Sequence, residues 1–159
     1  MFKKYLILLL FIFIFHNSVY SAPDDISHML GIKQNDFKTG FIAVKKAKKY
    51  LKKKKIKKAE KKFNKAIKYL TLANEKYPFE PAILSLLGFS LIYVGDLDMA
   101  EIYFLQGLEI EPNHIYINKD LGELYIKTKR INMAKEQLKI LETCKCKEFE
   151  ELKALIEQQ

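Results

Sequence analysis

The chain has 159 residues, of which 49% are hydrophobic and 30% charged, a composition that is typical of globular proteins and excludes a disordered chain. Its formal net charge of +9 is unevenly distributed, because residues 22–68 carry a net +12 whereas residues 69–159 carry a net −5. A uniformly basic protein is therefore excluded, and two cysteines are too few for a disulfide framework.

The N-terminal residues have the pattern of a secretory signal peptide. Lys3 and Lys4 precede an unbroken apolar run from Tyr5 to Phe15, and small side chains follow at Val19 and Ser21. This run is too short to cross a hydrocarbon core about 30 Å thick as a helix, and no later stretch is long enough either. We therefore predict a signal peptide over residues 1–21, cleaved after Ser21, and an exported protein, with the bacterial periplasm as the favoured location. An uncleaved anchor is the alternative.

Residues 22–39 lie between the predicted signal peptide and the first repeat. Ile26, Met29 and Leu30 have the i, i+3, i+4 spacing of one helix face, so we expect this segment to dock weakly onto the helices that follow. Without such docking the segment would be a mobile tail.

Two segments of the chain align at a separation of 34 residues. Leu87-Gly88 pairs with Leu121-Gly122, and Ala100 pairs with Ala134. This pattern resembles the tetratricopeptide repeat, which reads Leu-Gly-x-x-Tyr, then Ala-x-x-x-Phe, then Pro. The residues that match the motif, and that the resemblance assigns to packing between helices, are Leu87, Gly88, Ala100, Phe104, Pro112, Leu121, Gly122, Tyr125 and Ala134. Three departures are Leu91 in place of Tyr, Leu138 in place of Phe, and no closing Pro in the later unit.

The resemblance implies an all-α, right-handed superhelix of three helix pairs followed by a capping helix. The repeat domain is predicted over residues 40–148, in units 40–80, 81–114 and 115–148, with the cap over residues 149–159. The first unit is seven residues longer than the others, which predicts a lengthened second helix from near Ile56 to near Lys76. A register built on Ala66, Leu70, Ala73 and Pro78 is disfavoured because it turns lysines inward.

No motif for catalysis or cofactor binding is found, and neither His28 nor His114 belongs to a metal or nucleophile pattern. We therefore expect a binding protein rather than an enzyme, with no cofactor and no metal. Cys144 and Cys146 favour a local disulfide in an oxidising compartment, with free thiols, metal binding and an intermolecular bond as alternatives. The cysteine pair before a final helix resembles small exported bacterial tetratricopeptide repeat proteins.

In this family the first helices of the repeats line a concave groove that binds a protein or peptide segment. The resemblance therefore implies a protein or peptide partner, whose identity the sequence does not give. The resemblance assigns to the groove Phe41, Val44, Lys48, Leu51, Ala82, Ser85, Phe89, Ile92, Tyr116, Lys119, Glu123 and Ile126. The family's clamp for a terminal carboxylate uses Lys, Arg and Asn at such positions, so Ala82, Ser85 and Phe89 argue against that ligand. Some of these residues, Phe41, Val44 and Leu51 above all, could instead belong to the core between repeats.

A run of lysines suggests a second kind of surface. Fourteen lysines and one acid, Glu60, lie between Lys45 and Lys68. Such a surface could bind the anionic groups of an envelope or another polyanion, although nucleic acid is disfavoured because stacking aromatic residues are missing. The simpler interpretation is that these lysines form a solvent-exposed face with no binding role, in a proteome that is rich in lysine. The basic first pair and the acidic remainder also make head-to-tail self-association conceivable.

Overall fold

The computed structural model describes residues 35–159, and within this range all regular structure is α-helical. The helices are α1 (Asn35–Lys52), α2 (Ile56–Lys76), α3 (Pro81–Val94), α4 (Leu97–Ile110), α5 (Ile115–Lys127), α6 (Ile131–Leu141) and α7 (Lys147–Glu157). The predicted signal peptide, its cleavage after Ser21 and the docking of Ile26, Met29 and Leu30 lie outside the described residues.

The helices pack as three consecutive pairs and a terminal helix. The most extensive contacts are those of α1 with α2, α3 with α4, and α5 with α6, and each pair also contacts the next one through α2–α3 and α4–α5. Helix α7 packs against both α5 and α6 and so closes the array. The prediction of an all-α solenoid of three helix pairs plus a capping helix is confirmed. None of the described helices is long and apolar enough to span a bilayer.

Short turns between helices follow from local chemistry. Gly95 ends α3 with a φ of 91°, a left-handed conformation that glycine adopts at no steric cost. Asp96 then caps α4 by accepting a hydrogen bond from the Met99 amide at 3.3 Å. At the start of α6, Arg130 donates to both carboxylate oxygens of Glu101, at 2.8 and 2.6 Å, which ties this turn to α4.

Close packing within the pairs depends on residues without a side chain. A Cβ at Gly88 would lie 2.5 Å from the ring of Phe104, and a Cβ at Gly40 would lie 2.7 Å from Cγ of Leu70. Phe104 and Leu70 are fully buried. In the first two pairs, the second helix therefore inserts a large side chain where the first helix is smallest.

The first pair is lengthened in both of its helices. Helix α1 has 18 residues and α2 has 21, whereas α3 and α4 have 14 each. The boundaries of α2 are those expected from the extra seven residues, but α1 begins at Asn35, ahead of the unit boundary placed at residue 40. Residues 35–39 thus belong to α1 and not to the N-terminal segment. Phe37 is buried in the core and Asp36 pairs with Lys76 at 2.8 Å, and these contacts hold the first turn of α1 in place.

The terminal helix α7 begins at Lys147, two residues before the predicted cap. Its Leu152 is fully buried and lies against Gly122, where a Cβ would be 2.6 Å from Cδ2 of Leu152. The loop before α7 contains a disulfide between Cys144 and Cys146, whose Cα atoms are 5.1 Å apart. Of the states considered for these cysteines, the structure thus contains the local disulfide.

Candidate binding site

One face of the array is formed by the first helix of each pair together with α7. Helix α1 contacts α3, α3 contacts α5, and α5 contacts α7. Side chains bridge the same helices: the Lys48 ammonium of α1 lies 4.0 Å from the ring centroid of Phe89 in α3, and Lys119 of α5 reaches Glu151 of α7 at 4.0 Å. We call this face, lined by α1, α3, α5 and α7, the concave face.

The structure divides the predicted groove residues into two groups. Nine of them are partly or well exposed to solvent: Phe41, Lys48, Leu51, Ala82, Ile92, Tyr116, Lys119, Glu123 and Ile126. Tyr116 is the most accessible of the apolar ones, at 61% exposure. The other three, Val44, Ser85 and Phe89, are buried.

Phe89, which is predicted to line the groove, offers little open surface to a partner. Phe89 is only 8% exposed, because its ring packs edge-on against Phe63 at 5.8 Å and against Tyr93 at 5.0 Å, and Lys48 covers it. Val44 and Ser85 are likewise core residues between helices and not groove contacts. Spacing along a helix identifies the face, but the adjacent helix determines how much of that face is covered.

The middle of the concave face combines aromatic and charged groups. Tyr93 stacks on Phe63 with a centroid distance of 4.7 Å and remains 42% exposed. Next to it on α5, Lys119 donates to Asp120 at 3.2 Å and pairs with Glu123 at 2.8 Å. We refer to Lys48, Phe89, Tyr93, Lys119, Asp120, Glu123 and Glu151 as the groove centre.

Burial and charge pairing perturb the titration of the groove centre. Burial raises the pKa of Asp120 to about 6, an effect that Lys119 and Lys48 only partly offset. Burial by itself would lower the pKa of Lys119, but the carboxylates of Asp120 and Glu123 outweigh it and raise that pKa. Partial burial lowers the pKa of Lys48, with Asp120 opposing the shift.

Three residues of the groove centre were not predicted from the sequence: Tyr93, Asp120 and Glu151. Tyr93 and Asp120 each directly follow a predicted groove residue. Successive residues of a helix are rotated by about 100°, so a prediction of the positions along one face leaves out their immediate neighbours. Glu151 belongs to α7, which had been predicted only as a cap. At the 34-residue period Glu151 aligns with the buried Ile117, so extending the repeat pattern into α7 would not have placed it on this face.

The remaining candidates have structural roles. His114 caps α5, where its Nδ1 accepts a hydrogen bond from the Ile117 amide at 3.2 Å, and burial lowers its pKa. His28 lies outside the described residues. Across residues 35–159, no group of three or more His, Cys, Asp and Glu side chains is placed to hold a metal ion. The residues of the repeat motif are largely core: Leu87, Ala100, Phe104, Leu121, Tyr125 and Ala134 are buried, as are Gly88 and Gly122, whereas Pro112 lies in an exposed turn.

Comparison with known proteins agrees with this architecture. The tetratricopeptide repeat family model matches residues 81–114. The Arabidopsis OM64 TPR domain is 13% identical, with a TM-score of 0.58 over 77% of this chain and 98% of that one. The first TPR domain of the human RPAP3 protein is 16% identical, with a TM-score of 0.58 over 75% of this chain and 91% of that one.

A further similar structure is the first TPR of Spaghetti (RPAP3) bound to the HSP90 peptide SRMEEVD. It is 17% identical, with a TM-score of 0.58 over 77% of this chain and 97% of that chain. No curated protein matches the sequence. The predicted resemblance is confirmed: the chain contains a tetratricopeptide repeat at residues 81–114, and its described helices have the fold of tetratricopeptide repeat proteins.

Proposed function

We propose that this protein binds a segment of a partner protein along the concave face, and that binding rather than catalysis is its function. The observation that carries the proposal is the continuity of this face across four helices, with exposed apolar and charged side chains side by side. Tetratricopeptide arrays use such a surface to hold extended or helical segments. The peptide bound to the first TPR of Spaghetti (RPAP3) supports this kind of ligand.

The composition of the face suggests the chemistry of the bound segment. Tyr93 and Tyr116 expose aromatic surface against which apolar side chains of a partner can pack. Because a tyrosine side chain has few rotatable bonds, holding it in such a contact costs little entropy. The carboxylates of Asp120, Glu123 and Glu151 are matched by three ammonium groups, since Lys147 pairs with Glu151 at 3.0 Å in addition to Lys48 and Lys119. A segment that carries apolar residues therefore fits this face better than one that ends in an anchored carboxylate.

The test compares two double variants with matched chemistry. Tyr116→Ala with Glu123→Lys removes an exposed apolar group and reverses an acid on the concave face, whereas Met133→Ala with Glu136→Lys does the same on α6. Partners are first captured by crosslinking in the native cell and identified, and their affinities for purified variants are then measured by calorimetry. We expect the first variant to lose at least tenfold in affinity, about 1.4 kcal/mol, and the second to bind as wild type. Equal affinities of the two variants would place the binding site elsewhere.

We also propose that the protein is exported. The proposal is supported by the basic start at Lys3 and Lys4, the apolar run from Tyr5 to Phe15 and the small residues near Ser21. Sequencing the N-terminus of the protein isolated from its native cell tests this directly. We expect the mature chain to begin at Ala22; a chain that retains residues 1–21 would contradict cleavage.

A further inference from the structure

A second surface lies on the lysine-rich first pair, away from the concave face. Between α1 and α2 there is a shallow cleft of about 110 Å³, lined by Thr39, Ile42, Ala43, Lys46, Lys62 and Lys65. Ala43 is buried at its floor, while Ile42 is 40% exposed at its edge. We call this feature the lysine cleft. Among the described helices, α1 and α2 pack mainly against each other and against α3.

The positive charge around the lysine cleft is not neutralised within residues 35–159. Neither Lys46 nor Lys62 has a carboxylate partner there, and Lys65 lies near the Tyr69 ring at 5.5 Å. Lys119 and Arg130 differ in this respect, since both are paired with acids. Ammonium groups at this density produce a strong positive potential, which attracts anions over the range of a Debye length.

We propose that the lysine cleft and the lysines around it dock the protein onto an anionic membrane surface through lipid headgroup phosphates. The basic residues of the first pair are all lysine, and ammonium groups bind phosphate as point charges rather than through the two-pronged geometry of arginine. Ile42 adds an apolar contact at the rim, which suits the interface of a bilayer. A single-stranded polynucleotide would instead need a series of stacking aromatic residues, and none of the residues that line the lysine cleft is aromatic.

This docking mode is compatible with a partner on the concave face. Lys46 lines the lysine cleft, whereas Lys48, two positions later in α1, lies over Phe89 at the groove centre. Two residues correspond to about 200° around a helix, so the two side chains point to nearly opposite sides. A membrane-bound molecule would therefore present its concave face away from the lipid surface. The inference is independent of the proposed partner binding.

Vesicle cosedimentation with the full chain tests the proposal. One set of vesicles contains phosphatidylcholine alone, and another contains about 30% phosphatidylglycerol as the anionic lipid. We expect binding to the anionic vesicles only, and a steep loss of binding as sodium chloride rises from about 50 to 300 mM. Competition with soluble glycerophosphate, which should not displace the protein at millimolar concentration, distinguishes a lipid surface from a free phosphate.

Two triple variants with the same change in net charge locate the binding surface. Lys46, Lys62 and Lys65 are changed to Gln in one, and the exposed residues Lys127, Lys135 and Lys139 of the acidic half are changed to Gln in the other. The first should bind anionic vesicles at least about tenfold more weakly, and the second should stay within about twofold of wild type. Circular dichroism and urea unfolding establish that both variants are folded.

Several results would overturn the inference. These are equal binding to neutral vesicles, an equal loss of binding in the two triple variants, and displacement from vesicles by millimolar glycerophosphate. Tighter binding of a single-stranded oligonucleotide than of anionic vesicles would assign the lysine cleft to a different ligand. An Ile42→Ser variant tests the apolar rim separately, because it should weaken the binding that survives high salt while leaving the low-salt attraction nearly unchanged.

Discussion

At the scale of single residues, Gly88 determines how closely α3 and α4 approach. An alanine Cβ there would lie 2.5 to 2.8 Å from three carbons of the Phe104 ring, which is rigid and fully buried. We expect Gly88→Ala to destabilise the fold by about 1–3 kcal/mol through overpacking, even though alanine favours the helix by up to about 1 kcal/mol. Urea unfolding measures this change in the free energy of unfolding.

Gly107→Ala is the matched control for this substitution. A Cβ at Gly107 would meet the terminal carbon of the Ile117 side chain, which can rotate, rather than a fixed ring. We therefore expect a smaller loss of stability than for Gly88→Ala. If Gly107→Ala lowers the free energy of unfolding more than Gly88→Ala does, the contact between α3 and α4 at Gly88 is not the more tightly packed of the two.

Asp120 makes the stability of the fold depend on pH. Burial raises its pKa to about 6, against about 3.9 in an unfolded chain, so the folded state favours the neutral acid. This contribution to stability is fully present below about pH 4 and is lost as the pH rises through about 6. The charged and titratable groups that face Asp120 are Lys48 from α1, Tyr93 from α3, Lys119 and Glu123 from α5, and Glu151 from α7.

We predict that Asp120→Asn removes this pH dependence. Relative to wild type, the variant should gain roughly 2–3 kcal/mol in free energy of unfolding between about pH 4 and pH 7.5, because asparagine has no charge to bury. Urea unfolding at several pH values measures the difference, and Asp98→Asn on the exposed side of α4 controls for the substitution itself. Parallel profiles for wild type and Asp120→Asn would show that Asp120 does not titrate in this range.

The groove centre shows how far single residues could be predicted. Lys48, Lys119 and Glu123 lie on the concave face, where the resemblance to the tetratricopeptide repeat places them. The burial of Phe89 and the approach of Asp120 to Lys48 depend on how three helices cross, and a sequence pattern does not determine that geometry. The resemblance therefore predicts which residues line the groove, whereas packing produces a charged centre with an aromatic floor.

At the scale of elements, one helix of the first pair could be predicted from the sequence and the start of the other could not. The seven extra residues predict the lengthened α2 over Ile56–Lys76, since two added turns keep the apolar residues on one face. The earlier start of α1 could not be inferred from the repeat motif. It depends on Phe37 and Gly40 reaching the core of the lengthened α2, where Gly40 lies against Leu70.

The terminal helix α7 provides a prediction about what holds an element in place. Leu152 is fully buried against Gly122, so Leu152→Ala should cost about 2–5 kcal/mol, the usual effect of truncating a core leucine. The Cys144–Cys146 disulfide closes a very short loop, and replacing both cysteines with serine should cost less than about 2 kcal/mol. Urea unfolding of the two variants under oxidising conditions gives the comparison. A larger loss from the cysteine variant would mean that the covalent link, not burial, fixes α7.

At the scale of the whole molecule, charge is separated along the array. Residues 35–76 contain 16 lysines and three acids, whereas residues 77–159 carry a net charge of −5. Since the two regions are successive parts of an elongated stack, the basic end of one molecule can approach the acidic end of another. Such a contact joins two different surfaces, so each added molecule leaves one basic and one acidic end free. Association would therefore produce oligomers of increasing size rather than a single dimer.

We therefore predict weak, salt-sensitive self-association. Sedimentation at tens of micromolar protein should show reversible association at about 20 mM salt and a monomer at about 300 mM, where the Debye length falls below about 8 Å. Changing Lys46, Lys62 and Lys65 to Gln should reduce the association, because it removes charge from the basic end. Changing Lys127, Lys135 and Lys139 should not reduce it, because the acidic part then becomes more negative. A monomer at every salt concentration, or a dimer that persists at high salt, would show that charge separation does not drive contacts between molecules.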